Sequence, residues 1–271
     1  MSEAFDAFER AAWDSNDASA YEALFGPITS QVVEPLLDAV RAGRGSRVLD
    51  VATGPGYVAG RAAARGATVT GLDRSAQMLA IARARHPAVT FVEGNAEALD
   101  FPAASFDAAV ASFCLLHLAS PERAAAELAR VVVPGGRVAV TVWNTPDRAR
   151  LMGVVPESAR AAGAIEPADL PAGPAFFRFA DDAEMRRLLT GAGLHDAEVL
   201  TIEWRTWIPS LEHLWRGFAD GTARTRALLA AQPADVQARI RGELAHALEP
   251  YREGDAYSVP VSVKLGAATR R

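Results

Sequence analysis

The stretch from 48 to 60, VLDVATGPGYVAG, places an acidic residue at the end of an apolar run and then removes nearly every large side chain. Gly54, Gly56 and Ala59 satisfy the loose pattern G-x-G-x-x-G/A, in which small residues let backbone N–H groups approach a ligand closely. Asp50 is an electrostatic mismatch for a diphosphate but suits a cationic amino group. The stretch therefore predicts a backbone-lined ligand site with a carboxylate beside it.

The glycine pattern alone allows three interpretations: an NAD enzyme, an S-adenosylmethionine (SAM) enzyme or a tight structural turn. Further residues distinguish between them. Asp73 follows Gly56 by 17 positions (73 − 56), close to the roughly 20 expected of a carboxylate that binds ribose. Asn95 and Ala96 close the next apolar run, where an amide and an N–H group could read an adenine edge. A Pro-Gly-Gly turn at 134–136 precedes another strand, which favours the SAM enzyme over the NAD enzyme.

Predicted strands and helices alternate from 46 to 143 and position these residues. RVLDVA, ATVTGLD, AVTFVEG, FDAAVASF and GRVAVTVW predict strands, while YVAGRAAARG, SAQMLAIARAR and PERAAAELARVV predict helices, with Ser75 as a cap. Strands that are apolar on both faces and alternate with helices are typical of a parallel sheet covered on both sides. Ligands of such sheets bind outside the carboxyl ends of the strands, where Asp50 and Asp73 lie.

The rest of the chain completes one predicted domain, 1–271. We expect an N-terminal helical flap over 1–45, an irregular connection over 144–180, and completion of the sheet over 181–271 with a helical cap at about 210–250. Two late strands, DAEVLTIEWRTWI and YSVPVSVKLGAA, predict an antiparallel C-terminal hairpin. The predicted fold is α/β, a Rossmann-like, doubly wound, mostly parallel seven-stranded sheet with an inserted helical cap.

Composition restricts the partners and the compartment. The formal net charge is −5, which argues against a nucleic-acid partner, and the single cysteine, Cys114, fits a reducing compartment. The first residues carry acids where a signal peptide carries Lys or Arg, and no apolar run has the roughly 18 residues of a membrane span. We expect a cytoplasmic protein without a membrane span, either a monomer or a homodimer.

The motifs from about 46 to 143, in their order and spacing, resemble the class I SAM-dependent methyltransferases. VLDVATGPG corresponds to the first SAM motif, GLDRSAQML to the second, EGNAEAL to the third, and FDAAVASFCLLHL with LARVVVPGG to the later ones. The resemblance is to the small-molecule subgroup that includes the ubiquinone/menaquinone C-methyltransferases. Ala52 departs from the glycine common at its position, and Leu116 stands where many relatives carry the first histidine of a pair.

The resemblance implies a set of cofactor-binding residues. The glycine-loop backbone would wrap the methionine part of SAM, Asp50 would orient the amino group and Asp73 would accept both ribose hydroxyls. Met78 would pack on the adenine face, and Ser112 would border the methyl-donor end. The complete implied set is Asp50, Ala52, Thr53, Gly54, Gly56, Asp73, Arg74, Met78, Asn95, Ala96, Ser112, Phe113 and Tyr21.

His117 is the one titratable group that the sequence places beside the donor methyl. As a general base it would suit a phenol or an activated carbon, and as a structural residue it would precede the helix that begins near Pro121. Trp13 and Tyr21 could attract the sulfonium through cation–π contact or could anchor the N-terminal helices. No histidine spacing indicates a metal, and we expect none.

Aromatic residues after the sheet core indicate an acceptor that is planar or apolar, although the same residues would also suit the core of a lid. The predicted substrate-binding residues are Trp143, Asn144, Phe176, Phe177, Trp207, Trp215 and Phe218.

The predicted function is transfer of a methyl group from SAM to a small molecule, a quinone-like ring or a secondary metabolite, with S-adenosylhomocysteine as product. In-line displacement would draw most of its acceleration from positioning. Alternatives are a protein that uses SAM non-canonically, for example a cyclase, an NAD-dependent oxidoreductase, or a purely structural module.

Overall fold

The computed structural model describes residues 2–271 and contains one mixed sheet in the order β3-β2-β1-β4-β5-β8-β6, with β7 paired to β8. The first five strands of this order, from β3 to β5, run parallel, and β8 pairs antiparallel with both β5 and β6. The strands are β1 (Arg47–Val51), β2 (Thr68–Asp73), β3 (Thr90–Glu93), β4 (Phe106–Ser112), β5 (Val132–Trp143), β6 (Leu194–Ile208), β7 (Arg252–Glu253) and β8 (Ala256–Arg270).

Helices cover both faces of the sheet and the carboxyl ends of its parallel strands. They are α1 (Ser2–Ser15), α2 (Ala18–Thr29), α3 (Val33–Ala39), α4 (Tyr57–Ala64), α5 (Ala76–Arg85), α6 (Pro121–Val131), α7 (Arg150–Ala161), α8 (Asp182–Gly191), α9 (Leu211–Ala219), α10 (Arg224–Ala230) and α11 (Ala234–Leu248). No helix within the described part of the chain is both long enough and apolar enough to cross a bilayer.

The buried apolar side chains form three clusters that follow this layering. One lies between the sheet and α3, α4 and α5, and includes Leu36 and Ala59. A second lies between the opposite face and α6 and α8, and includes Leu128 and Met185. The third joins α2, α7 and the helices from 211 to 248 above the end of the sheet.

The sequence patterns predicted the sheet and its C-terminal hairpin correctly. Ser75 caps α5 as expected, because its Oγ accepts a hydrogen bond from the N–H of Met78 at 3.4 Å. The final strand, β8, lies between β5 and β6, so that β6 is the edge strand.

Three local expectations differ from the structure. The connection over 144–180 is not irregular throughout, because α7 occupies Arg150–Ala161 despite Pro156 inside it. Pro134 and the two glycines after it lie within β5, opposite a register shift in β4, where Gly135 takes a φ of 83°. The two-residue strand β7 adds an eighth strand to the expected seven. The segment expected as a flap over 1–45 contains α1, α2 and α3, and Met1 lies outside the described residues.

Candidate functional site

A cavity of about 380 Å³ opens at the carboxyl ends of β1, β2 and β4, beneath α1, α2 and the cap. Its size suits a small-molecule site, for which volumes of about 300–1,000 Å³ are usual. One side is formed by the loops after the parallel strands, and the other is formed by aromatic side chains. All of the predicted cofactor-binding residues except Gly56 line it.

The glycine loop after β1 bends in conformations that favour glycine. Ala52 and Gly54 have φ values of 56° and 52°, and Gly56 has 85°. A left-handed conformation at a residue other than glycine costs of order 1–3 kcal/mol and is concentrated at functional sites. A Cβ on Gly54 would meet no atom within 4 Å, whereas a Cβ on Gly56 would lie 3.0 Å from the His86 ring. Gly54 therefore leaves space for a ligand, and Gly56 serves the turn.

Asp50 is a buried carboxyl with one unsatisfied oxygen. Its Oδ2 accepts hydrogen bonds from the Thr53 hydroxyl at 2.6 Å and from the N–H of Ala59 at 3.0 Å. Its Oδ1 is buried and has no hydrogen-bond partner within residues 2–271. Burial raises the pKa of Asp50 to about 7, although the bonds from Thr53 and Ala59 oppose the rise. A buried acceptor without a partner in a cavity wall suits a cationic donor from a ligand.

Asp73, at the end of β2, faces the same loop. Its two oxygens accept hydrogen bonds from the N–H groups of Gly54 at 2.8 Å and Ser75 at 2.9 Å. Burial raises its pKa above the ordinary value, and the backbone donors of Ser75, Gly54 and Arg74 oppose that rise. The carboxyl is thus held rigidly at the cavity wall and keeps further lone pairs for hydroxyl donors.

The loop after β3 carries Asn95 and Ala96, the two residues that the resemblance assigns to an adenine edge. The Oδ1 atom of Asn95 accepts the N–H of Glu97 at 2.9 Å, which fixes the orientation of the amide. Asn95, Ala96 and Met78 all line the cavity, and Met78 is buried.

The end of β4 joins the two sides of the cavity. Ser112 and Thr141 share a hydrogen bond of 3.1 Å between their hydroxyls, and the N–H of Phe113 donates to the Thr141 carbonyl at 3.0 Å. Phe113 has a φ of 52° and its ring stacks on Trp143 with 4.3 Å between centroids. The strained backbone turns an aromatic ring toward the site.

The N-terminal helices bring further groups to the cavity. Arg74 donates to Asp6 on α1 at 2.8 Å, and Tyr21 stacks on Phe25 with 5.2 Å between centroids. Burial raises the pKa of the Tyr21 hydroxyl. The Arg74–Asp6 contact ties α1 to the loop after β2.

His117 lies in the cavity wall within a short 3₁₀ turn after β4. Its Nδ1 atom is 3.0 Å from Oε2 of Glu9, a residue of α1 that is only 1% exposed. The Trp13 ring lies edge-on to the imidazole, with 5.1 Å between centroids, and its Nε1 donates to the same Glu9 oxygen at 3.1 Å.

Four of the seven predicted substrate-binding residues line the aromatic side of the cavity, namely Trp143, Phe176, Phe177 and Phe218. The structure places the other three elsewhere. Trp207 lies on the edge strand β6 and is 57% exposed, since alternate side chains of a strand point to opposite faces. Trp215 is buried beneath the Arg241 guanidinium, 4.1 Å from its ring centroid. Asn144 is buried and donates to the Ser262 hydroxyl at 2.9 Å.

Several cavity residues were not predicted, and Glu9 is the most informative of them. The buried positions of α1 are Phe5, Glu9 and Ala12, which recur at helical spacing on one face. A glutamate on the buried face of an amphipathic helix was the available signal. Other unpredicted lining residues include Phe25, Tyr57, Met152, Glu166, Leu170 and Arg224.

The strand order, with an antiparallel pair completing a parallel sheet and a cavity at the carboxyl ends, defines the class I methyltransferase fold. Residues 49–140 match a family model described as a methyltransferase domain. The chain therefore has the fold of the class I methyltransferases, and its residues 49–140 are similar to a methyltransferase domain.

Similar proteins agree with that class. The demethylmenaquinone methyltransferase of Renibacterium salmoninarum is 42% identical over 111 residues, which are 41% of this chain and 47% of the relative. The malonyl-[acyl-carrier protein] O-methyltransferase of Erwinia billingiae is 34% identical over 166 residues, 61% of this chain and 59% of the relative. The chain thus spans about half the length of the curated relatives that it matches.

A solved structure shares the fold across most of the chain. Phosphoethanolamine N-methyltransferase 2 of Haemonchus contortus, in complex with phosphomonomethylethanolamine and S-adenosylhomocysteine, superposes with a TM-score of 0.55 at 20% identity. The match covers 93% of this chain and 56% of that chain.

Proposed function

We propose that this protein transfers a methyl group from SAM to a small planar acceptor with a quinone-like ring in its reduced form. The observation that carries the cofactor assignment is the unpartnered Oδ1 of Asp50, buried in a cavity wall that also holds Asp73 and the open backbone at Gly54. A cationic amino group, a pair of hydroxyls and a backbone-lined segment are the complements of these three features.

The chain's own residues would hold the cofactor along the loop side of the cavity. Asp50 binds the amino group and Asp73 the ribose hydroxyls, while Met78 and the pair Asn95 and Ala96 take the adenine face and edge. Ala52, Thr53 and Gly54 border the methionine part, Ser112 and Phe113 border the methyl-donor end, and Arg74 and Tyr21 close the site from the flap. Gly56 shapes the turn without lining the cavity.

SAM, when bound, supplies an electrophilic methyl group on a sulfonium. The rest of the acceleration comes from holding an acceptor in line with that methyl, which can contribute about 7–11 kcal/mol. Helices α1 and α2 and the cap line the cavity and reduce its exposure to water. His117 is the candidate group that holds the acceptor's proton, since it is the histidine that lines the cavity.

The aromatic side of the cavity supports a planar acceptor. Trp143 stacks on Phe113, and Phe176 packs edge-on against Phe177 with 4.9 Å between centroids. The similarity to demethylmenaquinone methyltransferase adds support for a naphthoquinol-like ring, and the net charge of −5 favours such an acceptor over a nucleic acid. We further propose that the chain forms a single domain, because the cap and the core line the same cavity. The buried, free Cys114 supports a location in the reducing cytoplasm. We propose that the protein is a monomer or a homodimer.

A thermal-shift measurement tests the cofactor assignment. SAM or S-adenosylhomocysteine at about 100 times its Kd should add about 2.7 kcal/mol to the free energy of unfolding and raise Tm by several degrees. NAD at the same concentration is the control. Stabilisation by NAD alone would refute the assignment.

A product-mass measurement tests the reaction. With SAM and 1,4-naphthalenediol, the proposed activity adds one CH₂ to the acceptor and converts SAM to S-adenosylhomocysteine. An acceptor that is isomerised at unchanged mass would favour the alternative in which SAM is bound without transferring its methyl group.

A further inference from the structure

We propose that Glu9 is a positioning residue that holds His117 in one tautomer, so that the imidazole removes a proton from a neutral hydroxyl of the acceptor. The chemistry of this inference rests on the proposed methyl transfer. The tautomer of His117 is inferred from the geometry of Glu9, Trp13 and His117. It also assigns the substrate class, an acceptor that carries a phenol-type or enol-type O–H group.

The Glu9 carboxylate is placed for this task. It is buried, and its Oε2 atom is shared between the Nδ1 atom of His117 at 3.0 Å and the indole N–H of Trp13 at 3.1 Å. His117 is its only ion-pair partner among residues 2–271. A buried carboxylate is costly unless its oxygens receive hydrogen bonds, so this arrangement favours a proton on the facing nitrogen.

The tautomer follows from donor and acceptor identities. An ionised carboxylate only accepts, and therefore Nδ1 of His117 must donate. In a neutral imidazole the lone pair then resides on Nε2. That atom makes no hydrogen bond to any residue in the described part of the chain, and the ring lines the cavity. A histidine that is fixed in this way by a carboxylate presents its other nitrogen as a base.

The ring plane is fixed as well. Trp13 lies edge-on to the imidazole at an interplanar angle of 89°, and Trp13 in turn packs edge-on against Tyr21 at 5.2 Å. Ser75 donates from its hydroxyl to the Trp13 carbonyl at 3.2 Å, which links this group to the loop that follows Asp73. The imidazole therefore has restricted freedom to rotate.

Contacts on either side of Glu9 along the chain hold α1 at the site. Asp6 pairs with Arg74 at 2.8 Å, and Asn16 donates from Nδ2 to the carbonyl of Gly221 in the cap at 2.8 Å. The same helix thus lines the cavity and carries the carboxylate that contacts His117.

The proton and electron balance is as follows. The acceptor O–H proton passes to Nε2 of His117, whose positive charge faces the Glu9 carboxylate through Nδ1–H. The electron pair released on the acceptor, at oxygen or through the conjugated ring at carbon, forms the bond to the methyl carbon. The C–S bond breaks with its electron pair remaining on sulfur, and His117 later returns its proton to solvent.

The first test reads the tautomer directly and needs no acceptor. Protein labelled with ¹⁵N at histidine is measured by NMR with S-adenosylhomocysteine, and His117→Gln identifies the His117 signals among the five histidines. Wild-type protein should show an Nδ1–H, Nε2-unprotonated ring for His117. Glu9→Met fills a similar volume without an acceptor, and should return the ring to a mixture of tautomers.

Glu3→Gln, which removes an exposed carboxylate from the same helix, is the matched control and should leave the tautomer unchanged. An Nε2–H tautomer in the wild-type protein overturns the proposal even if Glu9→Met does not fold. Because the signal is read from the imidazole, absence of S-adenosylhomocysteine binding would count against the proposed cofactor and not against the Glu9–His117 pair.

The second test is a double-mutant cycle on methyl transfer to 1,4-naphthalenediol. His117→Ala should lower kcat by about 10²–10⁴-fold with S-adenosylhomocysteine affinity retained, as expected for loss of a general base. Glu9→Met should lower kcat in the wild-type background and have no further effect in His117→Ala, because Glu9 acts through the imidazole. Additive losses would overturn the positioning role. Absence of transfer to the diol by a wild-type protein that binds SAM would overturn the hydroxyl substrate class.

Discussion

The two sides of the cavity differ in how the chain builds them. The side proposed for the cofactor comes from loops that follow consecutive strands, where Asp50, Asp73 and Asn95 lie within 46 positions (95 − 50 + 1). The side proposed for the acceptor combines Glu9 with Phe218, which are 209 positions apart (218 − 9). Loops of one repeated strand–helix pattern can place polar groups locally, whereas an aromatic wall depends on how distant helices pack.

The two sides also differ in electrostatics. The cofactor side holds two buried carboxyls whose pKa values burial raises, with hydrogen bonds chiefly from backbone donors. The acceptor side is dominated by aromatic rings. Within the described part of the chain, the ion pair of Glu9 with His117 is the one on this side that involves a fully buried carboxylate. Substitutions on the first side should therefore alter cofactor affinity, and those on the second should alter use of the acceptor.

The largest effect is expected for Asp73→Ala. Loss of a charged acceptor shared by two ribose hydroxyls should weaken S-adenosylhomocysteine binding by 100-fold or more, because each hydrogen bond to a charged group contributes about 1.5–3 kcal/mol. Calorimetric titration measures the change. Asp73→Asn should lose less, and Asp107→Ala, which removes a half-exposed partner of Arg47, should leave the affinity unchanged. Unchanged affinity in Asp73→Ala would reduce Asp73 to a structural role in the loop.

An intermediate effect is expected from pH through Asp50. Its folded-state pKa of about 7 lies above its ordinary value of 3.8, so its contribution to folding stability is complete below about pH 4 and is lost as pH rises through 7. A ligand ammonium group reverses the preference, because it pairs with the ionised carboxylate. S-adenosylhomocysteine affinity should therefore rise by about tenfold per pH unit between pH 5.5 and 6.5.

Calorimetry in buffers of different ionisation enthalpy should detect about one proton released per ligand bound below pH 7. Asp50→Asn should bind more weakly and lose the pH dependence. A wild-type affinity that is flat over this range would contradict the assignment of the ligand amino group to Asp50.

The smallest effect is expected for Phe176→Ala. Removal of a partly buried ring from the aromatic wall should raise KM for 1,4-naphthalenediol by about tenfold, since partial burial of such a side chain contributes of order 1.5 kcal/mol. S-adenosylhomocysteine affinity should stay the same. Trp207→Ala is the matched control, because this ring is exposed on β6 and lies outside the cavity. If both variants behave alike in steady-state kinetics, the aromatic wall does not select the acceptor.

The fold was largely predictable because its signals are local. The boundaries of β1, β2 and α5 follow from runs of apolar residues, glycine stops and the Ser75 cap. Helix α7 was missed because Pro156 and the Pro-rich segment after it suggest irregular chain, although the helix packs its apolar residues against the cap. Packing overrode a local signal in that segment.

The sequence by itself determined that a glycine loop, two strand-end acids and an asparagine would meet at one edge of a parallel sheet, because the carboxyl ends of such strands share an edge. Only the tertiary structure decided which aromatic residues face the cavity. Trp143 and Phe176 line it while Trp207 and Trp215 do not, since side-chain direction depends on strand alternation and helix packing. The tertiary structure alone also joined Glu9 to His117, 108 positions apart, because helix docking and not local sequence sets that distance.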